Sequence, residues 1–487
     1  MTSTIDTGPA GRDQAAGAQE APRPLWRNLQ FQLLWTGQTA ATLGTSVADI
    51  AYPLAILALT GSPAQAGLFG AVQAAAGVAA GLPGGHLADR FDARRIVVAA
   101  EAGRAAVTAG VVLALVLGQF SLPVLLAAAA LLGVGQSIAA AARYLLLRSA
   151  VPPAQLTRAL AQDEVRMNGA QLAGPALGGS LYAVRALAHA VPFLFTAVSF
   201  ALSLLAALLV RISPQEPAPG AGQPAEKAGP AAGAAELGQP AENAGAAELG
   251  QSAENAGAAE LGQPEDNAGP ADPGQPGEKA GAAGLGAPER TGMFAGIAAL
   301  WSHPVLRAAT ALIMIVNTIG AGLDLVIVVI LRGQGTPPAM IGLTLGAGAV
   351  GGLAGAPLVP VLHRIRPGVL LLAVCLLLIP VLALLAVPAG PWWAAALLFV
   401  SMLGVPSIRV VLDVLVFRQA PPSQRGRVIA AVLTLIGLGA PAGLAATGLL
   451  LQLLPAAAAM LILAGALAVG VLCCAARPVL WQARWPS

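Results

Sequence analysis

The sequence predicts an all-α integral membrane protein with twelve transmembrane helices arranged as two parallel six-helix repeats. Three observations carry that expectation. Of 487 residues, 56% are apolar and 10% charged, against about a quarter charged in average soluble proteins, which argues against an ordinary water-soluble enzyme. Apolar runs of about 20 residues, the length that crosses a hydrocarbon core, recur almost end to end. Short patterns in the first half reappear 270–276 residues later.

In chain order, residues 1–24 are polar and Pro/Gly-rich. They lack the charged-then-apolar layout of a cleaved signal peptide, so a disordered cytoplasmic tail is expected. The first six-helix bundle, 25–211, holds spans near 31–58, 65–86, 96–117, 122–143, 160–184 and 191–211. The second, 291–476, holds spans near 307–331, 338–362, 368–387, 391–415, 428–453 and 456–476. Gly and Ala are frequent in all of them, as expected where small residues let membrane helices approach closely. Residues 477–487 form a short C-terminal tail, also expected to be cytoplasmic.

Between the bundles, 213–290 is a different material. It is rich in Pro, Ala, Gly, Glu and Gln, has no aromatic residue, and repeats AAELGQPAENAG three times from Ala234 with small variations. Too polar to bury a core, it reads as a disordered cytoplasmic linker that drifted by duplication, with partner binding as the other reading. It carries 12 acids and three bases, a net −9. The overall +3 therefore splits into a −9 linker and a +12 remainder.

The placement of the arginines fixes the expected orientation. With the N-terminus inside, the cytoplasmic ends receive sixteen arginines, from Arg23 to Arg484, and the outer ends only Arg185 and Arg332, the positive-inside bias. All seven tryptophans fall near span ends, where indole anchors at the interface. The three cysteines, Cys375, Cys473 and Cys474, lie in apolar runs and imply no disulfide framework. The four histidines lack metal-ligand spacing. No phosphate-binding GxxxxGK[ST] loop occurs, and no basic face with stacking aromatics. No cofactor, metal, ATP-driven engine or nucleic-acid partner is expected.

The halves match in detail. Thr42-Leu43-Gly44 precedes Asp49 as Thr318-Ile319-Gly320 precedes Asp324. Ala80-Gly81-x-Pro83 returns as Ala354-Gly355-x-Pro357, and LGVGQSI from Leu132 as LGVPSI from Leu403. With six spans per half the repeats share one orientation, a 6+6 transporter architecture with the substrate path between halves.

Charges inside the membrane are the site candidates, because an Asp at mid-bilayer costs about 2.5–3.5 kcal/mol on insertion scales. Asp49 and Asp324 occupy equivalent deep positions. They suit either reversible protonation, as a cavity opens alternately to the two sides, or a cationic substrate group; a position in water near the outer surface is the competing reading. Glu101 and Arg104 are three apart on one span and share a helical face, as a self-neutralising pair or as part of the coupling set. Asp163 and Arg166 repeat that spacing at an interface. Arg409 and Asp413, four apart, form a local pair or an inner gate, with Asp413 in register with Arg143. Gln38, Gln73, Gln136 and Asn317 are expected to line the cavity or bond between helices.

The loop after the second span reads Gly85-His86-Leu87-Ala88-Asp89-Arg90-Phe91-Asp92-Ala93-Arg94-Arg95. It resembles the G-x-x-x-D-R-x-G-R-R loop of the major facilitator superfamily, with matches at Gly85, Asp89, Arg90, Arg94 and Arg95 and with Asp92 replacing the second glycine. The resemblance implies a conformational latch, in which Asp89 pairs with Arg143 or Arg148 and faces the start of the eleventh span. Such contacts stabilise an Asp and break when the halves separate. Gly174-Pro175-Ala176-Leu177-Gly178-Gly179 resembles the GPxxGG motif of that superfamily's exporters. With Arg425-Gly426-Arg427 and Leu59-Thr60-Gly61-Ser62-Pro63, the chain is similar to the enterobactin-exporter-like branch over roughly 25–211 and 290–476.

The resulting expectation is a proton-coupled exporter of a small drug-like molecule, siderophore or other secondary metabolite. It would work by alternating access in a plasma membrane, as a monomer, with the lipid bilayer, a small-molecule substrate and protons as its partners. An uptake permease of the same fold and a non-transporting scaffold that uses its linker are the alternatives.

Overall fold

The computed structural model describes residues 25–119, 121–152, 155–184, 189–210, 300–362, 364–419, 425–476 and 481. The N-terminal tail, the 213–290 linker and, apart from Trp481, the C-terminal tail lie outside the described residues. Among the described residues twelve long helices make up the fold, and no strand occurs. The first half comprises α1 (Leu29–Thr60), α2 (Pro63–Arg90), α3 (Ala93–Val116), α4 (Leu122–Ala150), α5 (Leu156–Ala183) and α6 (Val191–Leu209). The second comprises α7 (Pro304–Gly333), α8 (Pro338–Gly355, continued by short turns to Leu362), α9 (Pro367–Leu385), α10 (Pro391–Leu403 and Val405–Gln419), α11 (Arg425–Gly437 and Gly439–Leu453) and α12 (Ala456–Ala475).

Local sequence sets the helix ends. Asn28, Ser62 and Asp92 are N-caps whose side-chain oxygens accept from the backbone N–H of Phe31, Gln65 and Arg94 at 3.1, 3.3 and 2.8 Å, satisfying donors that a first helical turn leaves unpaired. Asp92 thus explains the departure at the loop glycine: a carboxylate there starts α3. Seven helices, α2, α4 and α6 to α10, carry Pro in the first turn, where its missing N–H costs nothing. Gly61 ends α1 at φ 67°, a left-handed cap that glycine adopts without strain. Replacing Asp92 by Ala is expected to lower stability by about 1 kcal/mol, read as a lower thermal midpoint in detergent with helix content retained.

The five most extensive packed pairs of the first half recur in the second. In the first they are α1–α5, α1–α6, α2–α4, α3–α4 and α3–α6; in the second, α7–α11, α7–α12, α8–α10, α9–α10 and α9–α12. Each pair maps onto its counterpart by adding six to the helix number, which is the structural form of the repeat. The halves meet mainly through α2 against α11 and α5 against α8, two contacts that the same rule exchanges. Ten helices are long and apolar enough to span a membrane by composition alone. The exceptions, α2 and α5, are the first half's two central helices, which spend small and polar residues on other helices instead of facing lipid. Large apolar side chains such as Leu113, Leu131, Leu202, Val469 and Leu472 are exposed on the outside of the bundle, where lipid solvates them. The chain is a multi-pass membrane protein.

Candidate transport site

The chain termini mark one end of the bundle, here the terminal face; the α1–α2 turn at Gly61 marks the opposite face. Glycines decide where the halves touch. A Cβ on Gly67 of α2 would collide with the backbone of Gly448 on α11. One on Gly179 would strike the Pro338 carbonyl of α8, and one on Gly342 of α8 the Pro175 carbonyl of α5. All of these approaches lie toward the opposite face, where Ser62 also donates to Gln452 at 2.7 Å and Arg332 of α7 donates to the Leu54 carbonyl of α1 at 3.3 Å. Tyr182 donates to the same carbonyl at 3.2 Å. Further along the same face of α2, toward the terminal face, a Cβ on Gly81 or Gly85 meets nothing within 4 Å. The halves are therefore joined at the opposite face and part toward the terminal one.

The GPxxGG segment sits at this junction and packs in two directions. Gly174 and Gly178 admit Ser46 and Val47 of α1, while Pro175 and Gly179 touch α8. Pro175 also lies inside α5, with no N–H for the helical ladder, a site where a helix bends.

Asp49 and Asp324 lie at matching places about two-thirds of the way along α1 and α7, within the apolar span, and both are exposed. At that depth, exposure means facing the space between the halves. Asp49 is within Coulombic reach of Asp324 and of Arg104, so one carboxylate from each half addresses the other across the gap. Neither is in a salt bridge among the described residues.

Beside Asp49 a buried ion network fills the first half. Arg104 of α3, 3% exposed, donates to Glu101 at 3.2 Å and to Thr45 of α1 at 2.7 Å, and its guanidinium lies 4.0 Å over the Phe200 ring of α6. Glu101 also pairs with Arg143 of α4. Arg166 of α5 bonds Asp163 at 2.8 Å and Thr42 of α1 at 3.0 Å. The two sets of bonds tie α1 to α3 and α5 and α3 to α4, and breaking a buried pair strands a charge at a cost of about 3–5 kcal/mol.

A narrow recess opens beside Asp49 and is lined by Tyr52, Gln73, Arg104 and Gln136 among others. A second lies toward the terminal face and takes in Gln38, Arg143 and Asp163. Asn317, by contrast, donates to the Ile436 carbonyl at 2.9 Å and ties α7 to α11.

At the loop after α2, Arg90 and Arg95 are exposed. Arg94 donates to the carbonyls of Ala207 and Leu208 at 3.1 and 2.5 Å, closing the C-terminal end of α6 as a cation does at a helix C-terminus. Arg148 is exposed on the last turn of α4 and Arg409 is half-buried in α10. The side chains of Asp89 and Asp413, on which the latch and the inner gate depend, lie outside the described residues. Arg143 is brought to Glu101, deep in the half.

Sequence reasoning missed Tyr52. It is 2% exposed, stacks on Phe69 with centroids 4.3 Å apart and tilts against Phe193 at 4.8 Å. Its signal was the spacing: three residues after Asp49 on the same helix, in a chain with 4% aromatic residues.

Residues 34–439 match the family model described as Major Facilitator Superfamily. Solved structures share the fold. The nucleoside transporter NupG aligns with a TM-score of 0.62 at 11% identity, over 93% of this chain and 100% of that one. A bacterial homolog of the human lysosomal transporter Spinster, in an inward-facing and unoccupied conformation, aligns at 0.62 and 15%, over 96% and 100%. A POT family peptide transporter aligns at 0.60 and 14%, over 94% and 98%. No curated protein matches the sequence. The chain belongs to the Major Facilitator Superfamily.

Proposed function

We propose that this superfamily member is a secondary active exporter that exchanges external protons for a small molecule by alternating access. In this reading it sits in a plasma membrane with both termini cytoplasmic, the orientation favoured by the positive-inside rule. The observation that carries the reading is the pair Asp49 and Asp324, one carboxylate per half, facing each other across the gap within Coulombic reach.

The physics follows from that pair. Two ionised carboxylates in a space of low dielectric repel, and a proton on either removes the repulsion. A cationic substrate group does the same work, so proton and substrate compete for one site, which is the requirement of an antiporter. Arg104 holds Asp49 in a defined electrostatic environment while Glu101 and Arg143 keep Arg104 in place. The glycine contacts of α2 with α11 and α5 with α8 form the closed end. Export, rather than uptake, draws on the resemblance of Gly174 to Gly179 to the exporter motif, and the latch at Asp89 on its resemblance to the superfamily loop.

The test compares small molecules released by cells with and without the chain, then follows any released compound in everted vesicles. Accumulation that depends on the chain and collapses with a protonophore supports proton-coupled export. Uptake in right-side-out cells down the same gradient would replace it with a permease, and accumulation indifferent to the gradient would remove the proton.

A further inference from the structure

Three side-chain atoms around the recess beside Asp49 are buried and have no hydrogen-bond partner: the Tyr52 hydroxyl, the Gln136 Oε1 and the Arg104 Nε. All three residues line the same recess as Asp49. Buried polar atoms are nearly always paired, because an unpaired one forfeits its hydration with nothing in return. Two of them, the Tyr52 oxygen and Gln136 Oε1, can accept a hydrogen bond, and beside an exposed carboxylate they mark a site that a bound donor completes.

The chemistry of that group can be read from the atoms. Asp49 and Gln136 Oε1 accept hydrogen bonds only, and the Tyr52 oxygen accepts as well as donates. Anions are disfavoured, because the exposed carboxylates Asp49 and Asp324 outnumber the one guanidinium beside them, whose charge is paired with Glu101 although its Nε–H is unpaired. A quaternary cation satisfies the charge and none of the acceptors. A protonated primary amine is a compact cation with three N–H donors and no acceptor, one for each of Asp49, Gln136 and Tyr52. The recess is narrow, which suits a small head group, while the body of the molecule remains in the space between the halves.

We infer that the recess formed by Asp49, Tyr52 and Gln136 is an ammonium subsite, and that the transported molecule carries a primary amine that enters it head first. The inference deepens the proposed function, since it takes the space between the halves to be the substrate path.

The test is equilibrium binding to the full chain in lipid nanodiscs at neutral pH with no gradient. The probes are 2-phenylethylammonium, its N,N,N-trimethyl analogue and 2-phenylethanol. Saturable binding of the primary amine is expected, with the trimethyl analogue and the alcohol each at least about tenfold weaker, as when a site built for hydrogen bonds meets a ligand lacking them. Tyr52→Phe keeps the ring stack and Gln136→Leu keeps the volume; each is expected to weaken the amine about fivefold, and Asp49→Asn to abolish its binding. Equal binding of the trimethyl analogue overturns the subsite in favour of a general cation site. Equal binding of the alcohol, unaltered binding by both variants, or binding of no probe overturns it as well, the last leaving the orphan atoms to water. Because no gradient is applied, loss of proton coupling with amine binding intact would defeat only the exporter reading. Gradient-driven export without amine selectivity would defeat only the subsite.

Discussion

Asp49→Asn is expected to reduce gradient-driven transport by more than tenfold, equivalent to about 1.4 kcal/mol or more on the limiting step, with insertion and folding retained. The amide has the size of the protonated carboxyl but cannot gain or lose the proton. Energetic exchange should therefore stop, while any passive movement of substrate no longer responds to pH. The fold is expected to tolerate the change because Asp49 is exposed and holds no salt bridge among the described residues. Arg104 keeps its bonds to Glu101 and Thr45 without it. The measurement is substrate accumulation in everted vesicles against an imposed pH gradient, with the purified variant's thermal midpoint as control. Asp324→Asn tests the other half of the pair in the same assay. If Asp49→Asn vesicles accumulate substrate at the wild-type rate, the proton does not pass through Asp49.

Gly342→Val is expected to hold the opposite face open. In the closed arrangement a Cβ at this position collides with the Pro175 carbonyl and presses on Gly179. Both are backbone, so no side chain can turn aside. Overpacking of this kind costs about 1–3 kcal/mol. Here the cost falls on one conformation, because α8 touches α5 across the halves only when that face is shut. A bias of that size changes the open-to-closed ratio by about 5- to 150-fold. Cysteines at Ser62 and Gln452, whose side chains bond at 2.7 Å, report the closed face: they should crosslink readily in the wild-type background and poorly with Gly342→Val. Crosslinking at undiminished yield would show that α5 and α8 accommodate the added carbons, and would remove these glycines from the gating surface.

Much of the architecture was legible from the chain because a membrane imposes a coarse grammar. Hydrocarbon forces backbone groups to pair within a helix, so each apolar run of sufficient length reads as one element. The repeat was legible at Thr42-Leu43-Gly44 with Asp49 and Thr318-Ile319-Gly320 with Asp324 because these residues serve equivalent places in the two halves. The breaks in α10 at Gly404 and in α11 at Leu438 were not, since a run of apolar residues looks the same whether the helix continues or is interrupted. Composition alone also underrates α2 and α5, which meet protein through glycine and alanine where other helices meet lipid.

The candidate site divides in the same way. The rarity of charge in the spans pointed to Asp49, Asp324, Glu101 and Arg104 without any structure, because an ionisable group in the bilayer is costly enough to stand out. The neutral amides were visible as types, but whether each bonds a helix or lines a recess depends on its direction. Asn317 does the first, and Gln73 and Gln136 the second. Arg143, a candidate latch partner, is joined to Glu101 within the half, a pairing between helices some forty residues apart that no local pattern encodes.

By itself the sequence determined the membrane setting, the number of helices, the duplication and the identity of the intramembrane charges, all of which follow from transfer free energies and spacing along one chain. Only the tertiary structure decided that the two aspartates face one another, that glycines close the opposite face, and that Tyr52 and Gln136 leave unsatisfied atoms beside Asp49. Those facts concern which sides of separate helices meet. They are set by the mutual packing of residues tens to hundreds of positions apart, and a one-dimensional pattern carries no term for it.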